Sequence, residues 1–116
     1  MQTPISSTRG ADGIAAVSVR GEIDYANADE VAQGLRDLVA DGAPEEIRVD
    51  LSGATFIDST GLGALIEGYR AATGAGCRYV VTNPSENFRR VLLVTGLTEL
   101  FGMHAAEAGL SEATGA

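Results

Sequence analysis

Short apolar segments that resemble buried strands alternate along the chain with longer segments whose apolar residues recur every three to four positions. The first kind occurs at 14–19 (IAAVSV), 47–51 (IRVDL) and 77–81 (CRYVV). Each is followed by a segment with helical spacing of its apolar residues. Strands that alternate with helices of this length predict an α/β domain. We expect a mixed, largely parallel sheet of four to five strands with helices packed on it.

The first of the three predicted helices has the clearest pattern. Apolar residues fall on one face from Ala28 to Ala40, and Gly42 lies where such a helix would end. Asn27, with Glu30 three residues later, predicts a capping box in which the two side chains satisfy free backbone donors of the first turn.

The remaining segments give weaker signals. Residues 3–7 predict an edge strand, and 52–59 (SGATFIDS) predict a loop. Asn83-Pro84 marks the start of the third helix, which Thr95-Gly96 interrupts. Beyond it, 97–103 can form a short strand or a turn, and 105–113 predict a terminal helix with fraying ends.

The segment FIDSTGLGALI, Phe56 to Ile66, joins a predicted buried apolar pair to the second helix through an acid, two hydroxyls and two glycines. Ser59 lies where the loop becomes a helix, and there several backbone N–H groups lack partners within the helix. Serine is among the preferred N-cap residues, so Ser59 can be a structural cap. The same free donors stabilise an added anion, so Ser59 can also accept a phosphoryl group. The two roles are compatible.

The same segment argues against an enzyme. A nucleophile elbow needs the pattern G-x-S-x-G, which is absent around Ser59, and His104 is the only histidine that could relay a proton to Asp58. The pair Gly61-x-Gly63 lacks the third glycine and the distant acid of a dinucleotide-binding loop. Glycines here remove side chains from an exposed helix start, which favours close approach by another protein.

Length and charge limit the classes of partner. The 116 residues fit one ordinary domain, so we expect 1–116 to form a single unit. A net charge of −8 disfavours nucleic acid and anionic membranes, which favours protein partners. The single Cys77 excludes an internal disulfide, and one Cys with one His is too few for a zinc site. No apolar run approaches the roughly 18 residues that span a bilayer, so a cytoplasmic location is expected.

Three separated motifs carry a family resemblance. These are RGEID at 20–24, VDLSGATFIDSTGLGALI at 49–66 and NPSENFRRVLLVTGLTELF at 83–101. Together they resemble the STAS domain, specifically the small stand-alone anti-sigma factor antagonists, over roughly 14–104. The match is specific because the motifs recur in the same order and at matching intervals.

The resemblance implies a binding protein controlled by phosphorylation. Such proteins bind an anti-sigma factor that is also a serine kinase, and this binding frees a sigma factor. The kinase modifies the serine after the aspartate of the D-S-[ST]-G-L-G motif, which is Ser59 here, and Thr60 is the weaker candidate. A PP2C-type phosphatase reverses the modification. No cofactor is implied, and a docking face of modest size fits a protein that is a monomer when free.

By the same resemblance, seven residues belong to the partner-binding face: Asp24, Asp58, Ser59, Thr60, Gly61, Leu62 and Gly63. For Asp24, an equally weighted alternative is a turn or cap residue before the first helix. Two other functions remain open at this stage. One is a STAS interaction subunit of a lipid-transport or stressosome-type complex without a switch at Ser59. The other is a nucleotide-binding or hydrolytic enzyme, which the missing phosphate-loop lysine, triad and metal ligands disfavour.

Overall fold

The computed structural model describes residues 3–102 and contains one sheet and three helices. In chain order the elements are β1 Ile5–Arg9, β2 Ile14–Ile23, α1 Ala28–Ala40, β3 Glu46–Ile57, α2 Ser59–Gly74, β4 Arg78–Thr82 and α3 Glu86–Thr95. The strands lie in the sheet in the order β1-β2-β3-β4; β1 is antiparallel to β2, and the other two pairings are parallel. The predicted mixed, largely parallel sheet is therefore confirmed.

One face of the sheet forms the core. Val17, Val49 and Val81 lie in register across β2, β3 and β4, and all three are buried. Their neighbours along each strand are half-buried or exposed, as expected when successive side chains point to opposite faces. Helices α1 and α2 contribute the buried residues Leu35 and Leu65 to the same cluster. Both helices therefore pack on this face of the sheet.

The structure corrects the predicted loop at 52–59. Strand β3 continues to Ile57, and its second half pairs with the end of β2, with Gly53 opposite Arg20 and Ile57 opposite Ile23. Two register shifts occur along this pairing, and Gly21 adopts a positive φ of 79° near them. These irregularities hide the strand from a search for alternating apolar residues, because a bulge interrupts the alternation.

Phe56 is exposed rather than buried, so the prediction of a buried apolar pair was wrong for this residue. It pairs with the exposed Glu22, and 56% of its surface is accessible, whereas Ile57 is half-buried. Strand β4 ends at Thr82, level with Asp50, so Phe56 lies beyond the last β3 residue that pairs with β4.

The predicted capping box at α1 is also wrong. Asn27 is the N-cap residue of α1, but its side chain makes no capping hydrogen bond. Instead its Oδ1 accepts from the Asp24 N–H at 2.9 Å, and its Nδ2 donates to the Glu22 carbonyl at 2.8 Å. The asparagine therefore holds the turn between β2 and α1, because its side-chain oxygen and nitrogen both bond to the backbone of that turn.

Several segment boundaries differ from the predictions. The edge strand is Ile5–Arg9 rather than 3–7, and α3 begins at Glu86 with Ser85 as its cap rather than at Asn83-Pro84. Turns follow α3 up to residue 102. The predicted terminal helix at 105–113 and His104 lie outside the described residues. None of the helices within residues 3–102 has the length and apolar character needed to cross a membrane.

Candidate functional site

The junction between β3 and α2 is capped by Asp58. Its backbone is extended, with φ −89° and ψ −171°, and its Oδ1 accepts the Gly61 N–H at 2.9 Å. The prediction that Ser59 could cap the helix is therefore wrong, because Ser59 is already the first residue of α2. The strand fixes this position, since the Asp58 N–H still donates to the Ile23 carbonyl at 3.1 Å.

The same carboxylate oxygen holds the neighbouring threonine. The Thr60 hydroxyl donates to Asp58 Oδ1 at 2.6 Å. This bond, followed by the one from the Gly61 backbone, lowers the pKa of Asp58 below its usual value. Asp58 is therefore ionised at neutral pH, and its negative charge lies at the positive end of the α2 dipole.

Ser59 is exposed between these two residues. Among the described residues, its hydroxyl makes no hydrogen bond, whereas that of Thr60 is held by Asp58. The two hydroxyls of the motif therefore differ in availability: Ser59 presents an accessible oxygen to solvent, and Thr60 presents one whose proton is already donated.

The two glycines of the motif have different surroundings. Gly61 is buried, and a Cβ placed on it would lie 2.8 Å from Ile57 Cγ2 and 2.9 Å from the Ile23 carbonyl oxygen. A Cβ placed on Gly63 would have no atom within 4 Å outside its own stretch of helix. Gly61 therefore allows α2 to pack closely on the ends of the strands, while Gly63 opens onto free space. Leu62, between them, is half-buried against the core.

Asp24 lies at the same edge of the sheet as Asp58. It directly follows Ile23, whose carbonyl accepts the Asp58 N–H. Its own Oδ1 accepts the Ala26 N–H at 3.0 Å, and its carbonyl accepts the Ala28 N–H at 2.8 Å. Asp24 thus has the geometry of a turn residue that starts α1.

A groove of about 460 Å³ runs between α1 and α2 from this edge. Ser59 and Thr60 line it from α2, and Tyr25, 84% exposed, lines it from the turn before α1. Neither Tyr25 nor the α1 side of the groove was predicted from the sequence. A large aromatic residue in a turn directly after Asp24, outside any apolar periodicity, was the available signal.

Within the described part of the chain, no group of three or more His, Cys, Asp or Glu residues could hold a metal ion. Cys77 is buried, as expected for an inert thiol, and desolvation raises its pKa despite the opposing charge of Arg9. The chemical features of this edge are thus an exposed hydroxyl, carboxylates and an open groove.

Comparison with known proteins assigns the family. The family model of the STAS domain matches residues 6–110, which is most of the chain. The chain belongs to the STAS domain family. A curated relative, the anti-sigma-B factor antagonist of Bacillus subtilis strain 168, is 30% identical over 93 residues, which cover 80% of this chain and 84% of the relative.

Solved structures agree with this STAS assignment. The crystal structure of an anti-sigma factor antagonist from Mycobacterium paratuberculosis is 32% identical, with a TM-score of 0.69 over 86% of this chain and 85% of that one. The Bacillus cell fate determinant SpoIIAA in its phosphorylated form has a TM-score of 0.68 over 83% of this chain and 86% of that one. At 21% identity, the second likeness supports the fold alone.

Proposed function

We propose that this STAS protein is an anti-sigma factor antagonist. In its unphosphorylated form it binds an anti-sigma factor serine kinase and so releases a sigma factor; phosphorylation of Ser59 switches this binding off. The observation that carries the proposal is the exposed Ser59 hydroxyl in the first turn of α2, directly after the capping carboxylate of Asp58. The relatives named as anti-sigma factor antagonists support the same role.

The surroundings of the two hydroxyls favour Ser59 over Thr60 as the phosphate acceptor. A phosphoryl group on Thr60 would replace the proton that it donates to Asp58 at 2.6 Å and would place two anions in contact. A phosphoryl group on Ser59 breaks no hydrogen bond that the described residues make. It also lies in the first turn of α2, where free backbone donors and the helix dipole favour an anion.

The physical basis of the switch is desolvation and like charge. A phosphoserine adds about −1.5 to −2 charges at pH 7. It would do so beside Asp58, in a chain whose net charge is already −8. Covering that dianion with a partner surface removes its water, so the phosphorylated protein should bind weakly. A coupling free energy of about 3 kcal/mol would weaken the partner's affinity roughly 150-fold.

The proposed partner-binding face is the edge of the sheet where β2 and β3 meet the starts of α1 and α2. Asp24, Asp58 and the segment 59–63 lie along this edge. An exposed phosphoserine would also be open to a PP2C-type phosphatase, which we propose as the enzyme that resets the switch. We propose that the protein acts in the cytoplasm and that, when free, it is a monomer that forms transient complexes.

Phosphosite mapping tests this proposal. Wild type, Ser59→Ala and Thr60→Ala proteins would be incubated with ATP and a lysate of the native cell, and the phosphorylated residue located by mass spectrometry. We expect phosphate on Ser59 in wild type and in Thr60→Ala, and none in Ser59→Ala. The kinase responsible would then be purified by following this activity.

Binding to that kinase gives the second readout. Ser59→Ala should bind it constitutively in the presence of ATP, whereas Ser59→Asp should bind weakly. Equal affinity of both variants and wild type would rule out the switch. A kinase-like partner captured without any phosphate on the chain would indicate an interaction subunit that phosphorylation does not control.

A further inference from the structure

The groove between α1 and α2 begins at Ser59 and continues along both helices. Its α2 wall consists of Ser59, Thr60, Gly63, Ala64 and Glu67. We propose that this groove receives an apolar side chain of the anti-sigma factor, and that residue 63 is glycine to leave room for it. This inference rests on the proposed function, because the partner is the one named there.

Gly63 is the residue of α2 that the fold does not explain. A Cβ on Gly61 or on Gly68 would lie within 3 Å of packed atoms, so both glycines are needed for close packing. Gly74 also has open space around it, but it is the last residue of the helix, where glycine is well tolerated. Gly63 lies in the second turn, where glycine weakens a helix and no contact in the described chain requires it. We therefore attribute the glycine at position 63 to the groove, where the missing side chain leaves space for an occupant.

The chemistry of the groove favours an uncharged occupant. On the α1 side, Ala28 and Ala32 form small apolar walls. Arg36 and Glu67 pair with each other at 2.8 Å at the far end of the groove. An apolar centre with charged groups at its rim is the usual arrangement of a protein–protein contact. Since Arg36 and Glu67 already satisfy each other and the carboxylate of Asp29 is exposed to water, an apolar side chain complements the buried alanines of the groove better than a charged one.

The proposed loss of binding on phosphorylation also favours an apolar occupant. A lysine or arginine in the groove would be attracted by a phosphate on Ser59, so phosphorylation would tighten the complex. An apolar side chain would instead be placed against a dianion that needs water, and phosphorylation would weaken the complex. The second outcome is the one that the proposed function requires. Tyr25, exposed at the mouth of the groove, can add an aromatic contact to the same side chain.

The test measures the affinity of the purified kinase, identified by its phosphorylation of Ser59, for variants of the chain. Gly63→Ala should bind about tenfold more weakly than wild type and Gly63→Leu at least about a hundredfold, because the added atoms take up the occupant's space. Gly74→Ala makes the same change at the far end of the same helix, and it should bind like wild type. Gly63→Ala should be no less stable to urea than wild type, which excludes misfolding as the cause.

Asp29→Asn tests the chemistry of the occupant. Asp29 also lines the groove, and its loss should change the affinity less than twofold if the occupant is apolar. A loss of tenfold or more would indicate a cationic occupant and overturn the inference. Wild-type affinity of Gly63→Leu, with weak binding of Ser59→Asp, would also overturn it but leave the proposed function intact. Failure of wild type to bind any anti-sigma factor would reject both.

Discussion

The two glycines of the loop-to-helix motif should respond in opposite ways to the addition of one methyl group. At Gly61 the new Cβ would meet Ile57 and the Ile23 carbonyl oxygen at 2.8 and 2.9 Å, and one of these is backbone that cannot turn away. We expect Gly61→Ala to lower the free energy of unfolding by about 1–3 kcal/mol. At Gly63 there is no clash, so Gly63→Ala should raise it by about 0.5–1 kcal/mol.

Urea unfolding of the two alanine variants checks this prediction, with Gly74→Ala as the control for helix propensity alone. If Gly63→Ala were destabilising, Gly63 would have a structural role that the surrounding space does not reveal. The conclusion that it serves a partner would then fail.

Asp58, as the helix cap, should contribute more to stability than Ser59. Asp58→Ala removes the acceptor of both the Gly61 N–H and the Thr60 hydroxyl, so it should lower the urea midpoint. Ser59→Ala removes a hydroxyl that has no such role, and it should leave the midpoint close to that of wild type. A larger effect of Ser59→Ala than of Asp58→Ala would show that the serine is the cap after all.

The sequence located Ser59 at the helix start but could not identify the cap. Aspartate and serine are about equally good N-cap residues, so their order in the chain does not decide between them. The choice depends on where β3 stops, and the bond from the Asp58 N–H to the Ile23 carbonyl sets that point. This is a contact between residues distant in sequence, which local pattern cannot predict.

Among the elements, α2 is tied to β4 through one buried tyrosine. The Tyr79 hydroxyl donates to the Leu65 carbonyl at 2.8 Å, and its ring packs edge-on against Tyr69 and Phe101. Tyr79→Phe keeps the ring contacts and loses the hydrogen bond, so it should lower the free energy of unfolding by about 1 kcal/mol near pH 7. Urea unfolding measures this difference, and a loss of several kcal/mol would mean that the ring packing had changed as well.

Burial of the same phenol predicts a dependence on alkaline pH. Desolvation raises the pKa of Tyr79 far above its ordinary value of 10.0. Above pH 10 the unfolded chain therefore loses this proton while the folded chain keeps it, and stability falls as pH rises. Relative to Tyr79→Phe, wild type should lose about 1.4 kcal/mol per pH unit above about pH 10. Parallel stability curves for the two proteins would contradict the assigned burial.

Prediction of elements succeeded where a segment buries one regular face. Helix α1 was predicted with the observed bounds, Ala28–Ala40, because most of its apolar residues follow one stripe that is buried in the core or packed against it. The second half of β3 was missed because Ser52, Gly53 and Thr55 are exposed and show no alternation. That half of the strand is held by backbone pairing to β2, a long-range interaction with no signature in side-chain periodicity.

For the molecule as a whole, the parallel strands place the residues of the site together. The crossover through α1 returns the chain to a strand parallel to β2, so Asp24 at the end of β2 and Asp58 at the end of β3 lie at one edge. The order of strands and helices, which the sequence did predict, is enough to bring these acids together. The groove that opens from the same edge required the helix packing, which the sequence did not provide.

We expect the proposed phosphorylation of Ser59 to change the surface of the molecule without changing its fold. An anion at Ser59 lies in the first turn of α2, where the helix dipole stabilises it, while the neighbouring charge of Asp58 offsets part of this gain. We expect Ser59→Asp to alter the free energy of unfolding by no more than about 1 kcal/mol and to leave amide hydrogen exchange in β3 and α2 unchanged.

The same variant should nevertheless bind the kinase at least about tenfold more weakly than Ser59→Ala, because the charge must be desolvated on docking. Faster exchange throughout β3 and α2, together with weak binding, would instead show that the anion opens the β3–α2 junction. Phosphorylation would then act through the conformation of the domain rather than through the charge of an otherwise unchanged surface.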